Sequence, residues 1–188
     1  MSYIDITRKY RRGPQVITRK DAATIIAETG LQSDWKCLDL GGGSGFLSLF
    51  IANLVPNGSV TCYEIRKEHA EIIKNNVKIS GFSNVKVLNK PGEDFKGKNF
   101  DLVTMDMRGA EDVVEKIFGA LKKGGYLAVY SPHIEQQIAC RKEIEKLFKY
   151  IKTIETVQKE WKIDTRGFSH PVPSQLVHTG FVTIARKE

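Results

Sequence analysis

A stretch of bare backbone between two apolar runs most constrains how this chain can fold. From Cys37 to Phe50 the sequence reads CLDLGGGSGFLSLF, with four glycines and a serine in the middle. The pattern predicts a strand, a turn without bulky side chains and then a helix, which brings main-chain N–H groups and a helix N-terminus against a polar or anionic ligand. Many nucleotide and cofactor sites share this arrangement, so the glycines alone do not identify the ligand.

Strand and helix patterns alternate along most of the chain. Such alternation predicts βαβ units, and therefore an α/β fold with a mostly parallel sheet and helices on both faces. Two strands that follow each other near the C-terminus predict an antiparallel pair at one edge. The predicted strands are 36–40, one ending at Glu64, 85–89, 101–106, 126–130, 151–158 and 177–185, and the predicted helices are 21–28, 44–55, 67–80, 111–121 and 134–148.

Acidic residues stand where the predicted strands end. They are Asp39, Glu64, Glu93 with Asp94, and Asp106. The carboxyl ends of parallel strands meet at one edge of a sheet, and open α/β sheets bind their ligands there. We therefore predict the functional site at this edge.

The spacing of the glycines narrows the choice of ligand. Gly41, Gly43 and Gly45 form G-x-G-x-G, whereas the dinucleotide fingerprint G-x-G-x-x-G needs its third glycine where this chain has Phe46. A phosphate-binding P-loop needs a G-K-[ST] sequence, which this stretch does not contain. The tighter spacing is typical of enzymes that use S-adenosylmethionine (SAM). Glu64 is placed to accept hydrogen bonds from ribose hydroxyls, a role that suits either class of cofactor.

Positive charge is concentrated at the N-terminus. The chain carries 29 Lys and Arg against 22 Asp and Glu, a net charge of +7, and six of the cations lie in the first twenty residues. We predict a basic arm over residues 1–20, a single domain over residues 21–188 and a polyanionic partner such as nucleic acid. A solubilising tail would show the same charge.

Other features limit the class of protein. The three cysteines show no metal-ligand spacing, so we expect no metal site, and we expect Cys37 and Cys62 to be buried free thiols. No apolar run approaches the ~20 residues of a membrane span, and the N-terminus does not resemble a secretory signal. We therefore expect a cytoplasmic protein.

Segments at both ends of the chain resemble one enzyme family. RRGPQVITRKDAATII at 11–26 and LVHTGFVTIARK at 176–187 are similar to the end segments of tRNA (adenine-N1)-methyltransferases, particularly archaeal ones. YEIR at 63–66 and GGYLAVYSP at 124–132 match as well, so the resemblance covers nearly the whole chain from about residue 11. It implies a Rossmann-like class I SAM-dependent methyltransferase, with a mostly parallel seven-stranded sheet, an antiparallel edge strand and assembly into a homo-oligomer, a tetramer or a dimer.

The resemblance also implies a reaction. The family methylates N1 of an adenine in the T loop of tRNA, at position 58 and sometimes 57, with SAM as methyl donor. Asp106 matches the family's catalytic Asp, which would accept a hydrogen bond from the adenine N6 amino group and offset the developing positive charge. The cofactor-binding residues we predict are Gln15, Gly41, Gly43, Ser44, Gly45, Phe46, Glu64, Ile65, Glu93 and Asp106; the substrate-binding residues are Arg11, Arg12, Arg19, Lys20, His178 and Thr179.

The chain departs from the family in three places. It begins almost where the family's catalytic domain begins, without the usual N-terminal β-rich domain. Residues 106–110 read DMRGA where the family has Asp-x-Pro-x-Pro, so two prolines are lost and a cation is gained. Thr18 and Arg19 replace a Tyr or His followed by Pro. These departures affect the target base more than the type of reaction.

Two other interpretations remain. The precorrin methyltransferases of cobalamin synthesis are also one-domain chains of similar length, but they should lack the HTGF ending and would not need the basic arm. A non-catalytic tRNA-binding paralogue would keep the fold and lose the cofactor site, whereas this chain retains the glycines, Glu64 and Asp106.

Overall fold

Helices and strands alternate along the chain much as the hydrophobic pattern predicts. The computed structural model describes residues 3–13, 16–173 and 176–188. The helices are α1 (Tyr3–Thr7), α2 (Arg19–Thr29), α3 (Phe46–Leu54), α4 (Lys67–Ser80), α5 (Val114–Ala120) and α6 (Ile134–Ile144), with 3₁₀ turns at Gly92–Asp94 and Ala110–Val113. The strands are β1 (Lys36–Leu40), β2 (Ser59–Tyr63), β3 (Val85–Leu88), β4 (Phe100–Met105), β5 (Leu121–Ser131), β6 (Tyr150–Glu155), β7 (Trp161–Lys162), β8 (His170–Pro171) and β9 (Phe181–Arg186).

Seven of the strands form one sheet in the order β3-β2-β1-β4-β5-β9-β6. Neighbouring strands are parallel except at β9, which runs antiparallel to both β5 and β6. The predicted fold class, including the antiparallel pair at one edge, is confirmed. Because β1 to β5 run in one direction, the residues that follow them gather at the same edge, and the strand order reverses between β1 and β4.

Side chains of the central strands alternate between two cores. On one face, Leu38 of β1 packs in a cluster with Ile117 of α5, and on the other face Cys37 packs with Ile25 of α2. Strands buried on both faces are expected where helices cover both sides of a parallel sheet. The cysteines are buried and free, which confirms the expectation from the sequence. Within the described ranges, no helix is long and apolar enough to cross a membrane.

The N-terminal residues dock on the domain instead of projecting from it. The ring of Tyr3 lies 5.4 Å from that of Phe50, and Tyr10 meets Phe46 edge-on at 5.6 Å. These contacts place α1 against α3 and α4. α2 begins at Arg19, so the predicted boundary between residues 20 and 21 falls inside this helix. The aromatic rings that hold the N-terminal residues are scattered along the chain, and their contacts leave no periodic pattern in the sequence.

The predicted loop between the last two long strands contains a small hairpin. Its strands β7 and β8 pair antiparallel, and each has only two residues, too few to show a period. β6 ends and β9 begins at the same edge as the carboxyl ends of β1 to β5. The hairpin therefore extends from the edge where the sequence predicts the site.

Two boundaries differ from the prediction around residue 120. The helix predicted over 111–121 is a 3₁₀ turn followed by α5, and the KKGG segment lies inside β5. Gly124 adopts a φ of +81°, and the pairing of β4 with β5 shifts register here. A pair of glycines after a helical pattern usually predicts the end of the helix. Here Gly124 and Gly125 instead accommodate a bulge near the start of β5.

Candidate active site

Glycines let the turn after β1 pass close to its neighbouring strands. Gly41 has a φ of +86°, and a Cβ on it would lie 2.1 Å from the carbonyl oxygen of Asp106. A Cβ on Gly42 would lie 2.1 Å from Sγ of Cys62. Both separations are far too short for a side chain. Packing therefore requires these two glycines whether or not a ligand is bound, which the sequence alone did not indicate.

Only some N–H groups of the turn remain for a ligand. Those of Gly41 and Gly42 donate to the end of β2 at 3.0 Å each, and that of Gly43 donates to Oε2 of Glu64 at 2.8 Å. In the described chain nothing accepts a hydrogen bond from the N–H of Ser44 or from the first N–H groups of α3. These free donors, at the positive end of the helix dipole, suit an anionic group.

Glu64 retains acceptor capacity for a ligand. It follows β2 and is 3% exposed. Besides the Gly43 contact, its Oε1 accepts hydrogen bonds from the backbone N–H of Arg66 at 2.9 Å and from Nε of Arg66 at 3.4 Å. A carboxylate has about four acceptor positions, so one is open, and the long contact to the exposed Arg66 side chain can be exchanged for another. This geometry fits two adjacent ribose hydroxyls.

Asp39 belongs to the framework of the site. Its buried carboxylate accepts hydrogen bonds from the hydroxyls of Ser48 and Thr104, the latter at 2.6 Å, and the thiol of Cys62 lies 3.9 Å from Oδ2. Burial raises the pKa of Asp39, and the hydroxyl donors oppose that rise. Asp39 therefore joins β1 to α3 and β4, and its oxygens are already engaged.

Asp106 has no such partners. Its backbone N–H donates to the carbonyl of Leu40 at 2.9 Å, but no described residue donates a hydrogen bond to its carboxyl group. Burial raises the pKa of Asp106 to about 7; the negative charges of Asp39 and Glu64 add to the rise, and Arg66 opposes it. A carboxyl group that is partly buried and unpaired in a cavity is a candidate for function.

A cavity brings several predicted residues together. The turn, the start of α3 and Asp106 face Val16 and Ile17 across it, so the segment before α2 forms one wall. Its lining is Val16, Ile17, Asp39, Gly41, Gly42, Gly43, Ser44, Phe46, Leu47 and Asp106. Gly45, with a φ of +82°, packs against Ile73 behind the turn. Gln15, predicted to bind the cofactor, lies outside the described residues.

Three predicted cofactor residues, Glu64, Ile65 and Glu93, lie at the same edge but do not line this cavity. Ile65 is 64% exposed directly after Glu64. Glu93 is exposed in the 3₁₀ turn after β3, where its carbonyl accepts a hydrogen bond from the Lys116 ammonium. The preceding Gly92 packs on Met107, so this turn lies beside the residue that follows Asp106.

Lys20 and Thr179, both predicted to contact substrate, make internal contacts instead. Nζ of Lys20 donates to Oδ1 of Asp21 at 2.7 Å, to the carbonyl of Thr156 at 2.5 Å and to Oγ1 of Thr179 at 2.6 Å. The hydroxyl of Thr179 in turn donates to Oδ2 of Asp21 at 2.6 Å. An ammonium group has three N–H donors, and all three are occupied. The predicted phosphate contact of Lys20 is therefore not supported; the group joins α2 to β6 and to the segment before β9.

His178 is likewise engaged by the protein. Nδ1 lies 2.6 Å from Oε1 of Glu155, and Nε2 lies 3.0 Å from the carbonyl oxygen of Pro132. A carboxylate and a carbonyl accept hydrogen bonds, so this arrangement favours the ring with a proton on both nitrogens. The Glu155 contact, followed by the Pro132 contact, raises the pKa of His178. Neither nitrogen is left for a substrate, and the predicted substrate role is not supported.

The other three predicted phosphate-binding cations are exposed. They are Arg11, Arg12 and Arg19. The guanidinium of Arg12 lies 5.6 Å from the ring centroid of Phe46, a residue of the cavity wall. Asn76 of α4 holds the backbone of Arg11. Sequence reasoning missed this role, because the polar neighbours of Asn76 indicate a solvated helix face.

The fold and this site together define a class of protein. A parallel sheet with this strand order, a glycine turn after β1, a carboxylate after β2 and an unpaired one after β4 make up a SAM-dependent methyltransferase domain. A methyltransferase-domain family matches residues 31–170. A tRNA (adenine(58)-N(1))-methyltransferase TrmI of Thermus thermophilus is 31% identical over 173 residues, covering 89% of this chain and 68% of the relative. The chain therefore belongs to the tRNA (adenine-N1)-methyltransferase family.

One further relative agrees with this assignment, and the solved structures share the methyltransferase fold. The tRNA (adenine(57)-N(1)/adenine(58)-N(1))-methyltransferase TrmI of Methanocaldococcus jannaschii is 29% identical over 215 residues, covering 97% of this chain and 75% of the relative. Among solved structures, a SAM-dependent O-methyltransferase of Thermotoga maritima has a TM-score of 0.91 at 26% identity, covering 100% and 71% of the two chains. A precorrin-6Y C5,15-methyltransferase of Geobacter metallireducens has a TM-score of 0.78 at 17% identity, covering 96% and 95%, a likeness of fold alone.

Proposed function

We propose that this protein transfers a methyl group from SAM to N1 of an adenine in the T loop of tRNA. Position 58 is the first candidate and position 57 the second, because the relatives named above act at these positions. The observation that carries the proposal is the unpaired carboxyl group of Asp106 on the cavity that the glycine turn forms. The exposed Arg11, Arg12 and Arg19 nearby supply the cations that an RNA partner requires.

The residues of the turn fit SAM. The free N–H groups of Ser44 and of the first turn of α3 would hold the methionine carboxylate, and Glu64 would hold the ribose hydroxyls. When bound, SAM supplies an activated methyl group on a sulfonium sulfur. Asp106 lines the same cavity, so an acceptor bound by its carboxyl group would lie beside the donor.

Asp106 orients the adenine and offsets its charge. Its ionised carboxylate accepts a hydrogen bond from the N6 amino group, which directs the N1 lone pair at the methyl group. N1 of neutral adenine carries that lone pair without a base, so no residue has to remove a proton first. The ring becomes positive as N1 is methylated, and the adjacent carboxylate stabilises this charge in a site partly shielded from water. The adenine must leave its stacked position to reach the cavity.

Neither alternative is favoured by a specific observation. The precorrin methyltransferases share the fold, but a likeness of fold alone does not indicate that this chain shares their substrate. A non-catalytic paralogue has no need for free donors at the turn, or for a carboxyl group kept without a partner beside them.

Methylation of tRNA transcripts tests the proposal. The protein is incubated with SAM and an unmodified transcript, and the RNA is digested and analysed by mass spectrometry for 1-methyladenosine. A matched transcript with guanosine at position 58 should lose the product if that position is the target, and a double replacement at 57 and 58 should lose it in either case. A corrinoid precursor methylated while tRNA is not would overturn the proposal, as would the absence of any calorimetric signal with SAM.

We also propose that the protein self-associates, as the resemblance predicts. The hairpin region exposes large apolar side chains, with Trp161 52%, Ile163 69% and Phe168 94% exposed. Exposed apolar side chains in one region are typical of protein interfaces. Light scattering should show a dimer or a tetramer, and Phe168→Ser should shift the population toward smaller species. A monomeric parent protein would contradict the proposal.

The cytoplasmic location stays a prediction.

A further inference from the structure

Asn76 is a buried polar residue that connects two distant segments. Its side chain in α4 is 0% exposed. Oδ1 accepts a hydrogen bond from the N–H of Arg11 at 2.8 Å, and Nδ2 donates to the carbonyls of Arg11 at 2.9 Å and Ser44 at 3.0 Å. These partners require one orientation of the amide, with its oxygen toward the only donor. Burying an amide is costly without such bonds, so the arrangement is well determined.

The two segments have different tasks in the proposed function. Arg11 and Arg12 present exposed guanidinium groups for a polyanion, and Ser44 presents a free N–H for the methyl donor. A second bond joins the segments directly, because the N–H of Gly13 donates to Oγ of Ser44 at 2.6 Å. The stretch that carries the arginines continues into Val16, which lines the cavity. A shift of either segment is therefore transmitted to the other.

We propose that Asn76 is a positioning residue through which RNA and the methyl donor strengthen each other's binding. RNA held by Arg11 and Arg12 restrains the segment 11–13 in its hydrogen-bonded position, and Asn76 passes that restraint to Ser44. The donor bound at the turn then has less conformational entropy to lose. Linkage requires the effect to be reciprocal, so the donor must tighten RNA binding by the same factor. The inference rests on the proposed function, which supplies RNA as the partner.

Binding measurements test this coupling without any turnover. The affinity of the full chain for an unmodified tRNA transcript is measured with and without saturating S-adenosylhomocysteine, the non-reactive product. We expect the product to tighten RNA binding about tenfold, within the usual range of allosteric coupling. In Asn76→Ala the factor should fall below twofold. Asn84→Ala is the matched control, because its amide also donates to two backbone carbonyls, Ala52 and Val55, away from the cavity.

Circular dichroism would show whether Asn76→Ala fails to fold. In that case a second variant tests the same coupling. Ser44→Ala removes the bond to Gly13 with little change in volume, and it should lower the coupling factor about threefold while the protein stays folded. A coupling factor that is unchanged in the folded variants overturns the inference. So does a parent protein whose affinity for RNA is the same with and without S-adenosylhomocysteine. A coupling factor that falls equally in Asn84→Ala overturns it too. Failure of the proposed function is recognised separately, since that would appear as absent 1-methyladenosine in the parent protein.

Discussion

Asp39 and Asp106 lie on neighbouring strands at the same edge of the sheet, and the structure uses them in opposite ways. Hydroxyl groups of two other elements donate to Asp39, whereas no described residue donates to the carboxyl group of Asp106. Asp39 is buried, whereas Asp106 is partly buried on the cavity. The number of hydrogen-bond donors separates them further, because a largely desolvated carboxyl group without partners is costly to folding and is retained where a ligand uses it.

The same contrast separates two adjacent cations. Lys20 has three internal acceptors for its three N–H groups, and Arg19 beside it is exposed. One residue joins elements of the fold, and the other is available to a partner. If hydrogen-bond saturation separates framework from function in this molecule, variants of these four residues should lose different properties.

The largest effect is expected for Asp106→Asn on turnover. The amide keeps the shape of the side chain but loses the negative charge that offsets the charge on adenine, so methyl transfer should fall at least about a hundredfold. Affinity for S-adenosylhomocysteine, measured by calorimetry, should stay within a few-fold. Equal losses of turnover and affinity would assign Asp106 to donor binding instead.

Asp39→Ala should act on stability. It leaves the hydroxyls of Ser48 and Thr104 without their buried acceptor, and the free energy of unfolding should fall by about 3 kcal/mol in a denaturant titration. Asp39→Asn keeps one acceptor oxygen and should lose less. A stable Asp39→Ala with impaired donor binding would place this residue in the ligand site and break the contrast with Asp106.

Asp106→Asn should also change the pH dependence of stability in the ligand-free protein. The pKa of Asp106 is raised to about 7, so its contribution to stability is complete below the unfolded pKa near 4 and is lost as pH rises through 7. The variant should match the parent at pH 4 and exceed its free energy of unfolding by about 2 kcal/mol at pH 8, a value discounted for partial exposure. Asp94→Asn, an exposed acid at the same edge, is the control, and parallel profiles for all three proteins would contradict the prediction.

The smallest effect concerns the two cations. Arg19→Gln should reduce the slope of log affinity for tRNA against log salt by about one, whereas Lys20→Gln should leave the slope unchanged and lower the melting temperature. Filter binding over a salt series and thermal melts provide both readouts. A slope reduced by Lys20→Gln would mean that its ammonium leaves Asp21 to reach a phosphate.

The sequence predicted the sheet well because periodicity reports burial directly. β1 and α4 match their predicted ranges, and the strand-end acids do gather at one edge. α1 and the β7–β8 hairpin were missed because each is short and depends on contacts made elsewhere in the chain. Local pattern does not encode the packing of Tyr3 on Phe50.

The site was harder to predict, because the role of each side chain depends on its hydrogen-bond partners and not on its residue type. As strand-end acids, Asp39 and Asp106 look equivalent in the local sequence pattern; the family resemblance singles out Asp106, and the structure shows the physical difference in hydroxyl donors and burial. Lys20 was grouped with the exposed arginines, since the sequence cannot show that three acceptors from distant segments surround it. The substrate role of His178 is predicted from the family resemblance, and the sequence cannot show that Glu155 and Pro132 lie against both of its nitrogens.

The contact between Gly41 and the carbonyl oxygen of Asp106 has a consequence for how such enzymes diverge. It joins two loops mainly through main-chain atoms, with the Cβ of Met107 as the one neighbouring side-chain atom, so the fit of one loop to the other does not depend on the side chains at 108–110. Mutations can therefore replace those side chains, as DMRGA here replaces two prolines, without disturbing the grip on the methyl donor. An ancestral scaffold of this kind can explore new acceptors one substitution at a time and stay an active enzyme throughout.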